Sequence, residues 1–146
     1  MFTYTRDVFY YETDKMGVVH HSNITRWFEE GRIAFLQHIG LPFEQIEENG
    51  VLSPVIGLQI KFRHFARFGD RFTVSLWLSK YTGIVFNVGY RICNQAGELL
   101  FEGETEHVFT SVKTGRVVSL TKAYPQGHEK LKAAYDAQRA TEDAQA

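Results

Sequence analysis

The residues best suited to chemistry lie close together in a polar stretch of the N-terminal third. Asp14 is followed within seven positions by His20 and His21, and then by Ser22 and Asn23. Ser22 or Asn23 is suited to cap a helix, because a short side-chain oxygen accepts a hydrogen bond from a free backbone N–H. The first N–H groups of a helix are unpaired and carry partial positive charge. They can stabilise a carbonyl oxygen that gains negative charge during acyl transfer, while a nearby carboxylate attacks the carbonyl or activates a water.

Each of these residues also has an ordinary structural interpretation. Aspartates are frequent in turns, so Asp14 is either a catalytic carboxylate or a loop or capping residue. The His20–His21 pair has no third ligand at a diagnostic spacing, which argues against a metal site. Cys93 falls in a predicted strand, where a small buried apolar role is expected. Ser22 lacks the Gly-x-Ser-x-Gly elbow of a nucleophilic serine, and the two glycine-rich phosphate-binding motifs are missing from the sequence.

The elements around Asp14 follow from periodicity. Apolar residues at even positions from 2 to 10, interrupted by Arg6, predict a first strand. A long helix is predicted over about 23–39, where apolar residues recur at three- and four-residue spacing and Gly40 and Pro42 mark the end. A short helical turn is expected over 43–49. Asp14 is thereby placed in the loop just ahead of the long helix.

Beta-forming residues and regular turn signals indicate an antiparallel sheet over residues 51–120. The strands are predicted at about Val55–Ala66, Arg71–Lys80, Ile84–Cys93 and Glu98–Ser111, with a short one at Arg116–Leu120. A terminal helix is expected at about His128–Gln138, followed by a frayed Thr141–Ala146. The apolar face of the long helix needs a sheet to bury it, so we expect an α+β fold. It comprises an antiparallel sheet of about five strands wrapped around one long central helix, in a single domain spanning residues 1–146.

Composition excludes several classes of protein. The net charge of −1 argues against a protein that coats nucleic acid. No stretch approaches the roughly 20 apolar residues of a membrane span. Residues 1–7 lack the order of a signal peptide, and a single cysteine fits a reducing compartment. We therefore expect a soluble, cytoplasmic protein.

The segment from Tyr10 to Arg32, YYETDKMGVVHHSNITRWFEEGR, resembles the signature of the 4-hydroxybenzoyl-CoA thioesterase-like branch of the hotdog superfamily. The shared features are a Thr-Asp pair, a Gly-Val-Val run, a His or aromatic residue, an Asn and an aromatic-rich helix start. Weaker similarity covers about residues 4–120. The resemblance implies the hotdog fold, a homodimer or homotetramer, and active sites at the dimer interface. It also implies hydrolysis of an acyl- or aroyl-CoA thioester to free acid and CoA, without a cofactor.

By the same resemblance, Asp14 takes the place of the catalytic carboxylate, as nucleophile or general base. His21 contributes either its side chain or only its backbone N–H to the thioester carbonyl. Tyr10 matches a site tyrosine of some members. In this mechanism the carbonyl points at the N–H groups near His21, Ser22 and Asn23, and CoA departs as the thiolate.

Basic residues at strand ends and turns are candidates to meet the CoA phosphates, with ordinary solvated surface as the alternative for each. They are Arg63, Arg67, Lys113 and Arg116. Phe62, Trp27 and Phe28 are candidates to line an acyl chamber, with plain core packing as the alternative for the helix aromatics. The same fold leaves two other functions open: a non-catalytic module that binds acyl-CoA or an acyl-carrier partner, and a hydratase or dehydratase.

Overall fold

A five-stranded antiparallel sheet and one long helix dominate the computed structural model, which describes residues 1–145. The elements, in chain order, are β1 (Phe2–Asp7), a 3-10 turn (Tyr10–Glu12), α1 (Ser22–His38), α2 (Phe43–Glu48), β2 (Val51–Leu52), β3 (Val55–Phe62), β4 (Arg71–Tyr81), β5 (Val85–Asn94), β6 (Leu99–Val108), β7 (Thr110–Ser111), α3 (Leu120–Ala123) and α4 (Pro125–Gln145). The sheet order is β1-β4-β5-β6-β3, and β2 pairs separately with β7. The predicted α+β architecture, one helix against about five antiparallel strands, is confirmed.

Helix α1 packs on the inner face of the sheet through aromatic stacking and one close approach. The Trp27 ring stacks on Phe72 with centroids 3.8 Å apart, and Phe28 stacks on Tyr90 at 4.1 Å. A Cβ at Gly31 would lie 3.0 Å from Leu76 Cδ2, so the missing side chain lets the helix sit low on β4. Trp27 and Phe28 are fully buried. Their core interpretation is therefore the right one, and they do not form an acyl chamber.

The structure differs from the sequence-based boundaries at the end of the first strand and in the C-terminal part of the chain. Strand β1 ends at Asp7 because the chain turns into the 3-10 segment. Residues 116–120 do not form the predicted strand: Val117 makes one isolated bridge to Thr110, and Leu120 begins α3. Helix α4 runs on to Gln145, so the tail predicted to fray is helical up to that residue, in keeping with its Ala, Glu and Gln content. Ala146 lies outside the described residues.

The two edges of the sheet differ. Beyond the end of β1, α4 covers β4: Leu78 N–H donates to Gln138 Oε1 and Leu78 O accepts from Gln138 Nε2. The other edge, β3, carries Val55, Leu58 and Phe62, which are 48%, 48% and 55% exposed. Within residues 1–145, no helix is both long and apolar enough to cross a membrane.

Candidate active site

Asp14 lies at one end of a tight turn between β1 and α1. Its N–H donates to Val18 O at 2.9 Å, its carbonyl accepts from Gly17 N–H at 3.0 Å, and its Oδ1 accepts from Met16 N–H at 2.8 Å. Gly17 has φ +78°, in the left-handed region that glycine enters without steric cost. Asp14 thus has the turn role that the sequence left open. Its Oδ2 has no donor among residues 1–145, so one carboxylate oxygen is held and the other is free.

The side chain that caps the start of α1 is that of His20, which the sequence did not indicate as a cap. The N-cap position is His21, and its side chain makes no capping hydrogen bond, so the predicted caps Ser22 and Asn23 are wrong. Instead, His20 Nδ1 accepts from Ser22 N–H at 3.2 Å and lies 2.8 Å from Ser22 Oγ. Asn23 N–H donates to His20 O. Within the described part of the chain, 1–145, the backbone N–H of His21 has no acceptor and is the open donor at this helix start.

The His20 and His21 rings contact each other, with centroids 4.2 Å apart and planes tilted by 31°. Both are exposed. Over residues 1–145, no three His, Cys, Asp or Glu side chains are arranged to hold a metal ion.

Asp14 lies where two clefts meet. A polar cleft of about 600 Å³ is shared by Asp14, Ser22 and Asn23 and is also lined by Arg6, Phe9, Tyr11, Glu12, Thr13, His20, Arg26 and Glu30. An apolar cleft of about 190 Å³ is shared by Asp14, His21 and Phe62 and is also lined by Met16, Val18, Val19, His64, Phe65 and Phe101. The carboxylate therefore lies between a charged side and an aromatic side of the same loop.

Under the Asp14 loop lies an ion-pair cluster joining β1, the 3-10 turn and α1. Arg6 donates to Glu12 Oε2 at 2.7 Å and to Glu30 Oε1 at 2.7 Å. Glu12 is 3% exposed. Burial by itself raises the pKa of Glu12, but hydrogen bonds from Arg6, Trp27 and the Phe9 N–H outweigh it and lower that pKa below its ordinary value. Burial likewise opposes the charge of Arg6, yet the two carboxylates raise its pKa, so the pair is ionised.

The remaining predicted residues are spread around this centre. The Tyr10 side chain is exposed and packs edge-on against Phe68, with centroids 5.4 Å apart, so it lines neither cleft. Arg63 follows Phe62 and forms an ion pair of 2.7 Å with Glu102. Arg67 forms a backbone bridge to Val18, which brings its backbone beside the Asp14 loop.

Lys113 and Arg116 lie on the turn after β7, which pairs with β2 just before Val55. Phe62 of the apolar cleft is seven residues further along β3. Because a strand rises roughly 3.3 Å per residue, about 23 Å of β3 separates its two ends. Within one chain, the structure brings Asp14, His21, Ser22 and Asn23 together and leaves Lys113 and Arg116 away from them.

Several residues of this site escaped the sequence analysis. Glu12 and Arg6 fasten the loop, and Arg26 and Phe65 line the clefts. His20 was singled out from the sequence, but its hydrogen bond with Ser22 N–H was not predicted. One signal was available: Arg6 interrupts the even-numbered apolar positions of β1, and its side chain is the one that pairs with Glu12 and Glu30. The others have no diagnostic spacing.

Comparisons with known proteins agree on the family. The model of the Thioesterase-like superfamily matches residues 8–133. The protein named "Putative acyl-CoA thioesterase YneP" of Bacillus subtilis is 34% identical over 122 residues, 84% of this chain and 88% of that protein. The 1,4-dihydroxy-2-naphthoyl-CoA hydrolase of Thermosynechococcus vestitus is 28% identical over 106 residues, 72% of this chain and 73% of that one.

The structural comparison gives the same result. The crystal structure of a DHNA-CoA thioesterase from Staphylococcus aureus superposes with a TM-score of 0.89 at 28% identity, covering 97% of this chain and 93% of that chain. The predicted family, hotdog fold and class of enzyme are thereby confirmed. The chain belongs to the thioesterase-like superfamily and is a thioester hydrolase with the hotdog fold.

Proposed function

We propose that this chain hydrolyses an acyl-CoA thioester to the free acid and CoA, with Asp14 as the nucleophile or general base. One observation carries the proposal: a carboxylate with one free oxygen lies between a polar cleft at the start of α1 and an aromatic-lined cleft. A thioester needs both surroundings. Its acyl group is apolar in most substrates, and its carbonyl oxygen gains negative charge as the reaction proceeds.

The chemical step uses the open donor at the helix start. The thioester carbonyl oxygen accepts from His21 N–H, whose position at the positive end of α1 adds to its polarising effect. Either Asp14 attacks the carbonyl carbon to give a mixed anhydride that water then hydrolyses, or it removes a proton from an attacking water. In both routes the C–S bond breaks and CoA leaves as the thiolate.

The acyl group fits the apolar cleft. Its volume of about 190 Å³ is below the roughly 300–1,000 Å³ of typical ligand pockets, which favours a small acyl group over a long chain. Phe62, Phe65 and Phe101 present rings to this space. One relative is named as a putative acyl-CoA thioesterase, and another as a hydrolase of the aromatic 1,4-dihydroxy-2-naphthoyl-CoA. We therefore propose a short acyl or aroyl group as the substrate.

The exposed edge strand supports assembly into a homodimer, or a homotetramer made of two such dimers. An eight-residue edge strand with half-exposed Val55, Leu58 and Phe62 is a template for pairing with a second copy. If two β3 strands pair antiparallel, the Val55 end of one lies beside the Phe62 end of the other. Lys113 and Arg116 of the second copy then approach the cleft, where, with Arg63 and Arg67, they would meet the CoA phosphates.

We also propose that residues 1–146 form a single domain and that the protein is cytoplasmic. Cys93, half-buried and unpaired, is compatible with a reducing compartment. The acyl-CoA is the partner we propose, and Tyr10, which packs against Phe68 outside both clefts, is the weakest of the proposed catalytic residues.

The test is turnover on a panel of acyl- and aroyl-CoA thioesters, followed by release of the CoA thiol. We expect measurable turnover on short or aromatic members, and about 10²–10⁴-fold lower kcat for Asp14→Asn. Asp136→Asn, which changes an exposed carboxylate on α4, is the matched control and should keep the parent rate. No turnover on any thioester, or full activity of Asp14→Asn, would refute the proposal. Tight acyl-CoA binding without turnover would indicate the non-catalytic module.

A further inference from the structure

We infer that Glu12 is a positioning residue, which holds the Asp14 loop in register with the start of α1. Glu12 lies two residues before Asp14 and is 3% exposed. The inference rests on the proposed function, because it assigns to Glu12 the task of placing the carboxylate that acts on the thioester. Nothing in the chemistry requires Glu12 to touch the substrate.

The Glu12 carboxylate is fully occupied by donors from three elements. Oε1 accepts from Phe9 N–H at 2.8 Å and from Arg6 Nη1 at 3.0 Å. Oε2 accepts from Arg6 Nη2 at 2.7 Å and from Trp27 Nε1 at 2.8 Å. Arg6 belongs to β1 and Trp27 to α1, so one carboxylate fastens the 3-10 turn to both the sheet and the helix.

The backbone carbonyl of Glu12 makes a second set of contacts. It accepts from His20 N–H at 2.8 Å and from Asn23 Nδ2 at 2.9 Å. His20 is the residue whose ring caps Ser22, so the same peptide unit fixes the segment that presents His21 N–H. Any shift of Glu12 therefore moves Asp14 relative to the open donor of α1.

The anchors themselves are rigid. The Trp27 ring is stacked on Phe72 at 3.8 Å, and the Arg6 guanidinium lies 4.1 Å from the Phe9 ring centroid and also pairs with Glu30. We expect these groups to stay in place when Glu12 is changed. Removal of the carboxylate should therefore loosen the loop and leave the sheet and helix intact.

The variant Glu12→Gln isolates this role. Glutamine has the same size but offers one acceptor oxygen instead of two, so about half of the four donors lose their partner. Because small misplacements of a reacting group can lower a rate by roughly 10²-fold, we expect kcat to fall about 10- to 100-fold. KM should change by less than about threefold, since no contact to the substrate is removed.

Two further measurements separate positioning from general loss of stability. Amide hydrogen exchange should speed up more in residues 12–22 of Glu12→Gln than in β4 and β5, whose exchange reports only the loss of global stability. Tyr90→Phe removes buried hydrogen bonds in the core away from both clefts and should destabilise the protein with kcat unchanged. If Glu12→Gln does not fold, Glu12→Asp keeps the charge, shortens the side chain by one methylene and should lower kcat in the same direction.

The outcomes are distinguishable. If the parent is active and the Glu12→Gln variant keeps its kcat, or changes only its KM, the inference is overturned and the proposed function stands. Equal loss of kcat in Tyr90→Phe also overturns it, because stability would then explain the effect. A parent without turnover on the whole panel overturns the proposed function, and the inference with it.

Discussion

Two largely buried arginines, one on β1 and one on α1, differ in their partners: the first pairs with carboxylates and the second with a neutral hydroxyl. Arg6 meets two carboxylates, Glu12 and Glu30, each at 2.7 Å. Arg32, on α1 itself and 6% exposed, meets no carboxylate within residues 1–145. Its Nη1 donates to Tyr90 OH at 3.3 Å, and its Nε has no hydrogen-bond partner there.

The Arg32 cluster is a chain of hydrogen bonds with one direction. The direction is set by Ser53 O, which can only accept. Because Thr105 gives its hydrogen to His107, the Tyr90 hydroxyl, which accepts from Arg32, donates to Thr105 Oγ1 at 2.7 Å. Thr105 then donates to His107 Nε2 at 2.8 Å, and His107 Nδ1–H donates to Ser53 O at 3.3 Å. Burial, and then the nearby charge of Arg32, lowers the pKa of His107 to about 4. The His107 ring is therefore neutral at pH 7, as this series of hydrogen bonds requires.

The difference in partners between the Arg6 and Arg32 clusters matches the kind of segment that each cluster holds in place. Hydrogen bonds to an ionised partner are about twice as strong as neutral ones, and the cluster that uses them fastens the irregular loop carrying Asp14. In the Arg32 cluster only the guanidinium is charged and its partners are neutral, and the cluster connects α1 to strands that already pair with each other. A loop has no ladder of its own, so its position depends on side chains. A strand needs them much less.

The largest effect is expected from Glu12→Ala. Removal of one partner of a buried ion pair typically costs about 3–5 kcal/mol, and here it also strands Trp27 Nε1 and Phe9 N–H. We expect a loss of about 3 kcal/mol in the free energy of unfolding in urea, because Arg6 keeps Glu30. A loss below about 1 kcal/mol, the range of surface pairs, would contradict the importance of this cluster.

The second prediction concerns the pH dependence of stability. Unfolded His107 takes up a proton near pH 6.5, whereas the folded ring resists protonation down to a pKa of about 4. The unfolded state therefore binds more protons in this window, and stability should fall by about 3 kcal/mol as pH drops from 7 to 4. The lowered pKa of Glu12 places its own contribution lower, where stability is lost as the pH falls below about 4.5.

The matched variant for the pH prediction is His107→Gln, compared with the parent by urea unfolding at several pH values. The difference in unfolding free energy between the two proteins should shrink as the pH falls from 6.5 to 4. A difference that stays constant over this range would show that His107 is not held neutral.

A smaller effect is expected from Tyr90→Phe. The change leaves Arg32 Nη1 and Thr105 without their shared partner while keeping the ring on Phe28. An unsatisfied buried group costs about 1–3 kcal/mol, so the loss should be smaller than for Glu12→Ala. Thermal and urea unfolding of both variants under one buffer condition makes the comparison. If Tyr90→Phe is the more destabilising of the two, the ranking of the clusters is wrong.

The fold could be predicted from sequence because its signals are local. Alternation along β4 and the turn glycines mark the strands, and the spacing from Ile24 to Phe35 marks the helix. The errors fall where distant contacts decide. Strand β1 stops at Asp7 because the next turn is fixed by Glu12, whose carboxylate accepts from Trp27 Nε1 of α1, and α4 is held by the bonds between Gln138 and Leu78 of β4. Neither contact has a sequence period.

The site shows the same division. Asp14 and its neighbours in the chain could be placed ahead of α1 from the sequence, because their nearness is set by a short loop. The pairing of Arg6 with Glu12 and Glu30 depends on how β1 lies across α1. The distance of Lys113 from Asp14 depends on strand order, which periodicity does not contain.

The smallest effect tests whether burial, rather than the ion pair as such, gives the Arg6 cluster its strength. Asp7 and Arg71, at the end of β1 next to Arg6, form an ion pair of 3.1 Å with side chains 65% and 60% exposed. Solvent screens such a pair, so Asp7→Asn should change the free energy of unfolding by no more than about 0.5 kcal/mol, and 0.5 M NaCl should abolish even that. Urea unfolding with and without salt measures both. Both pairs join an arginine to a carboxylate, and Arg6 and Asp7 are adjacent at the end of β1. A loss comparable to that of Glu12→Ala would therefore mean that burial is not what separates the two pairs.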